Sequence, residues 1–141
     1  MNKRVIIVLL SLIICSIIVY FTVFHSLIFN ANNGNIAEYQ KYLQNDVYGT
    51  DIITIINKAV DQNEYNGVEK DEDLKYISNE KNSLKIDIKF TEKEEVVPME
   101  SIYNAGIESF IKFYSNKKFK CVETKLHKNT NNISYIKFEE R

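Results

Sequence analysis

The chain has 141 residues, 26% of them charged, a formal net charge of −1, two Cys, two His, one Pro and no Trp. Near-neutral charge excludes binding to polyanions through bulk basicity, and two cysteines exclude a disulfide-stapled scaffold. There is no internal repeat and no long low-complexity tract, so the polar part reads as one modest domain.

Asn2, Lys3 and Arg4 precede an uncharged apolar run from Val5 to Phe29. As a helix this run is roughly 37 Å long, against a hydrocarbon core of about 30 Å. It predicts a cytoplasmic tail at 1–4 and a transmembrane helix at 5–29 in contact with the lipid bilayer. The run exceeds the apolar region of a cleaved signal peptide, and Phe29 stands where cleavage after Ala31 needs a small residue. Ile14 before Cys15 departs from lipoprotein signals. Basic residues before the run, and none after it until Lys41, place the N-terminus in the cytoplasm and residues 30–141 outside it. The expected location is therefore the cell membrane, single-pass, with an extracytoplasmic domain. His25 reads as an interfacial ring.

Asn30 to Asn35 forms a polar hinge. Ile36, Tyr39, Leu43 and Val47 recur at helical spacing and predict a helix over 35–44, making 30–48 a hinge and stalk. Thr50 and Asp51 suit the start of a second helix, with Ile52, Ile53, Ile55, Ile56, Ala59 and Val60 on its core face. Asn66-Gly67 stops it. Glu69 to Glu80 reads as a loop with a short strand near Lys75–Ile77. Leu84, Ile86, Ile88 and Phe90 alternate with Lys85, Asp87 and Lys89, the pattern of a half-buried, antiparallel strand. After a charged connection, Pro98 opens a helix running from Met99 to about Asn116. Gly106 falls in its apolar half, which predicts close approach of a neighbouring element. Phe119–Lys128 and Ile133–Glu140 form a hairpin around Asn129-Thr130-Asn131-Asn132, with a bulge or a two-sided strand where the alternation breaks near Val122. The expected fold is α+β: a transmembrane helix, then a domain over 49–141 of two or three helices on a three-stranded antiparallel sheet.

Little chemistry is written into these elements. Cys121 and His127 are the only Cys and His beyond the apolar run, and six strand residues separate them by about 20 Å, too far for a dyad. His127 reads as an exposed strand or turn residue and Cys121 as a small buried hydrophobe. Glu69, Asp71, Glu72 and Asp73 cluster, but counting from Asp71 puts Tyr76 and Asn82 where a calcium loop needs Gly and Glu. Zinc spacing and a glycine-rich phosphate loop are both missing. Sixteen basic and nineteen acidic residues beyond residue 29 give that part a charge of −3, which does not favour nucleic acid. The expectation is no catalytic, cofactor-binding or metal-binding residue set, and no enzyme.

Gly49-Thr50-Asp51-Ile52, Ile56-Asn57-Lys58-Ala59-Val60-Asp61-Gln62-Asn63, Pro98-Met99-Glu100, Phe119-Lys120-Cys121 and His127-Lys128 resemble segments of uncharacterised small single-span membrane proteins of Gram-positive anaerobic bacteria. That resemblance implies a domain facing the cell wall and carries over no chemistry. The order of an N-terminal apolar helix and a small sheet is also similar in architecture to type IV pilins and pseudopilins. The chain lacks their Gly before the span and their Glu within it. The expected function is non-enzymatic protein–protein contact, as an accessory or subunit of a cell-envelope, pilus-like or secretion assembly. The alternative is an extracytoplasmic ligand-binding or sensing module, which requires a concave pocket between the Met99–Asn116 helix and the sheet.

Overall fold

The computed structural model describes residues 11–22 and 35–141, which fall in two units that divide after Asn33. In the first unit residues 11–22 form helix α1. Among the described residues no helix is long and apolar enough to cross a membrane. Residues 1–4, 5–10 and 23–29 lie outside the described residues. The expected transmembrane helix, the single-pass topology and the extracytoplasmic placement are corrected accordingly, while the expected lipid contact at 5–29 falls partly outside the described residues. The hinge at 30–34 also lies outside them.

The second unit begins with α2 (Ile36–Gln44), where the periodicity placed a helix. Lys58 pairs with Glu38 and ties α2 to the next helix. A two-residue strand, β1 (Val47–Tyr48), leads directly into α3 (Gly49–Tyr65). The N-cap is Tyr48 rather than Thr50: its backbone N–H donates to the Asp51 carboxylate at 3.0 Å, closing a capping box. A Cβ at Gly49 would lie 1.9 Å from the Tyr114 carbonyl oxygen, so α3 and the end of α5 meet at a contact only glycine allows. At the far end Gly67 adopts φ 62°, the left-handed residue expected after a helix.

From α3 the chain passes through a long loop pinned at Tyr76. This ring is buried, its backbone N–H donates to the Glu100 carboxylate at 3.2 Å, and its hydroxyl donates to Glu64 at 2.6 Å. The strand expected near Lys75–Ile77 reduces to one bridge, Lys70 to Tyr76. Then follow β2 (Lys85–Lys89), β3 (Val96–Pro98), α4 (Met99–Ala105), α5 (Ile107–Tyr114), β4 (Lys118–Leu126) and β5 (Ile133–Glu140). The single long helix expected from Met99 is two helices broken at Gly106.

The sheet has five strands in the order β1-β4-β5-β2-β3 rather than three. It is mixed, because β2 runs parallel to β5 while the other neighbours are antiparallel. Period-two alternation fixes which face of a strand is buried and says nothing of its direction. The direction follows from the β3–α4–α5–β4 excursion, which returns the chain to the other side of β2. The register shift between Cys121 and Glu123 is the expected bulge.

One face of the sheet forms the core. Ile86, Ile88, Ile136, Phe138 and Phe119 are fully buried with Ile52, Ile55, Ile56 and Ala59 of α3 in a single cluster. Asn63 lies within it without cost, since its side-chain amide donates to Leu84 O and accepts from Leu84 N, both at 2.8 Å. It acts as one further strand residue at the head of β2, satisfying both groups at once. The other face carries Lys85, Asp87, Lys120, Lys137 and their neighbours, a solvated surface.

Candidate functional site

The residues with intrinsic reactivity turn out to be structural. Contrary to expectation His127 is buried, and its Nε2 lies 2.7 Å from the Ser83 carbonyl oxygen, to which it must donate. This bond anchors the hairpin turn to the head of β2. Cys121 is half-buried, with Sγ 3.4 Å from Thr124 Oγ1 across the bulge. The Asp71 carboxylate accepts the backbone N–H groups of Asp73 and Lys75, at 3.0 and 2.9 Å, which shapes the acidic loop from within. Among the described residues no three His, Cys, Asp or Glu side chains converge on a metal site.

One of several concavities among the described residues, and the one with an aromatic lining, lies at the corner between α4 and α5. Gly106 has φ 93°, a conformation that costs any L side chain about 1–2 kcal/mol. It stops α4, whose last N–H bond runs from Gly106 to Tyr103 O, and redirects the chain into α5. No atom lies within 4 Å of where its Cβ would sit, so the expected close approach does not occur here. The glycine serves the bend, and the close approach belongs to Gly49.

Because the helix bends, its inner side does not seat flat on the sheet. Ser101, Ala105 and Ser109 line a groove of about 340 Å³ together with Val97 of β3 and Lys93 of the β2–β3 turn. That volume is at the low end for ligand pockets. Its floor is aromatic. Phe90 packs against Tyr114 and Phe110 with ring centroids 4.5 and 6.0 Å away, and against Phe119 at 6.1 Å. Val97 and Ile102 complete the apolar lining.

Two features of the mouth set its chemistry. Phe113 lines the groove yet is 65% exposed, and Ile111 on the opposite flank of α5 is 42% exposed. Two ammonium groups stand over aromatic faces, Lys93 at 5.2 Å from the Phe90 centroid and Lys112 at 5.5 Å from that of Phe113. The site is thus an apolar, aromatic trough with cations at its rim.

The groove is held from behind. Glu140 receives the Thr91 backbone N–H at 3.0 Å and lies 3.4 Å from the Lys117 ammonium, fixing the residue after Phe90 to the end of β5. Burial alone would raise the Glu140 carboxyl, but these partners hold it below the usual carboxylate range. Burial pushes the Tyr114 phenol up, with help from Glu92 and Glu140, so the floor stays neutral.

On α5, Phe110, Phe113 and Tyr114 recur at helical spacing. Of these only Phe110 is fully buried. Ser101, Ala105 and Ser109, recurring every four residues ahead of and beyond a glycine, were the available signal for a groove. No family model matches the chain, and neither a curated protein nor a solved structure is similar to it.

Proposed function

We propose that the second unit is a binding module that works by non-covalent contact, and that the groove at the α4–α5 corner receives apolar side chains of a partner protein. The observation that carries this reading is the exposure of Phe113 beside an aromatic trough. A large ring held in water at the edge of an apolar concavity is the usual form of a contact hot spot. The apolar surface of the trough runs out over the exposed Phe113 ring at its edge, which favours a protein segment over a small molecule held wholly inside. Lys93 and Lys112 favour a segment with an acidic residue beside its apolar anchors.

The test is a photoreactive residue placed at position 113 of the full chain, expressed in cells of its source. A discrete protein adduct is expected at position 113, absent when the reactive group stands at Lys58, and lost when Ala105→Phe fills the groove. Adducts that persist in the filled variant, or no adduct at all, would overturn the assignment.

A further inference from the structure

The exposed limb of β4 carries a second surface. Its pairing with β1 covers only Lys118 and Phe119, so residues 120–126 have no strand partner on that edge among the described residues. Half the backbone N–H and C=O groups of an antiparallel strand point away from its single neighbour, which leaves a ladder of unmet donors and acceptors here. Apart from Cys121, which packs against the core, the limb is open to solvent. Lys120 and then every residue from Val122 to Leu126 are exposed, and the aliphatic side chains Val122 and Leu126 are each 47% accessible.

Charge on this limb departs from that of the chain as a whole. Residues 120–126 hold two lysines, Lys120 and Lys125, and one acid, Glu123, although acids outnumber bases in the full sequence. Glu123 engages Lys125 at 3.0 Å, while Lys120 has no ion-pair partner among the described residues. Edge lysines commonly guard a strand against pairing with its own copies, because two such edges brought together repel. The same lysines attract a strand of opposite charge.

We infer that the free edge of β4 is a docking site for an extended, acidic segment of a partner protein, added as a sixth strand. Main-chain hydrogen bonds to residues 120–126 would hold it. Acidic side chains would lie beside Lys120 and Lys125, and aliphatic ones against Val122 and Leu126. A second copy of the chain is disfavoured by the repulsion that the acidic strand turns into attraction. This edge lies on the opposite side of the sheet order from the groove, which borders β3, so the two surfaces are independent.

The test is amide hydrogen exchange on the full chain with two probes, an eight-residue peptide alternating Glu and Val and its counterpart alternating Lys and Val. At saturation the acidic peptide should slow exchange in residues 120–126 by about tenfold, since those amides then exchange only after the new pairing opens. The basic peptide should leave them unchanged. Lys120→Glu combined with Lys125→Glu should reverse the preference, and Ala105→Phe should have no effect. Equal protection by both peptides, protection mapping outside 120–126, or no protection by the acidic peptide would overturn the assignment.

Discussion

Helices α3 and α5 carry the same kind of apolar stripe and meet opposite fates. In α3 the isoleucines Ile52, Ile53, Ile55 and Ile56 are all buried, and the helix lies flat because Gly49 lets its start touch the backbone of α5. In α5 only Phe110 is fully buried, while Phe113 and Ile111 remain in water. The difference comes from the bend at Gly106, which lifts one end of the helix pair off the sheet. Apolar surface that a helix does not use for its own core is available for something else, and here it borders a groove.

The contrast predicts an ordered set of mutational effects. Ile56→Ala removes a fully buried side chain and should lower the unfolding free energy by about 2–5 kcal/mol in urea titration. Gly49→Ala should cost about 3 kcal/mol, because the Tyr114 carbonyl cannot move without shifting the α5 backbone. Gly106→Ala should cost about 1–2 kcal/mol, through its positive φ alone. Phe113→Ala should change stability by less than about 0.5 kcal/mol in the same urea titration, because the ring is 65% exposed. A Phe113 loss as large as that of Ile56 would erase the distinction between the two helices.

Tyrosine ionisation gives a further reading of what is core. Burial pushes the phenols of Tyr39, Tyr76 and Tyr135 well above their usual range, aided by Glu38 beside the first and by hydrogen bonds to Glu64 and Asp87 for the other two. The fold therefore keeps three protons that the unfolded chain releases near pH 10. Their contribution is complete below that pH and is lost as pH rises through and beyond it. In alkaline absorbance titration these three of the nine tyrosines should ionise only as the fold opens. All nine ionising together near pH 10 would place the three rings in water.

Much of the fold was legible because periodicity reports burial directly. The stripes of α2 and α3, the alternation of β2 and the Asn-rich turn between β4 and β5 each mark an element. What escaped has a physical cause in each case. Strands β1 and β3, of two and three residues, are too short to show a period. Parallel pairing of β2 with β5 leaves the same alternation as antiparallel pairing. Gly106 was visible, but whether a helical glycine makes room or makes a bend depends on what lies across from it. Hydropathy over Val5 to Phe29 marks an apolar run and does not by itself make a membrane span. The groove belongs to no single element: Ser101 and Ala105 come from α4, Ser109 and Phe113 from α5, Phe90 from the end of β2. Histidine at 127 looked exposed because its partner, the Ser83 carbonyl, lies on a distant segment.

The most direct measurement of the central claim is a nuclear magnetic resonance titration of the chain with an apolar anion, 8-anilinonaphthalene-1-sulfonate. Its rings match the aromatic floor and its sulfonate suits Lys93 and Lys112. Saturable shifts confined to the amides of Phe90, Val97, Ala105, Ser109 and Phe113, and abolished by Ala105→Phe, are the predicted result. No shifts at these residues, or shifts spread evenly over the surface, would contradict the groove as a binding site.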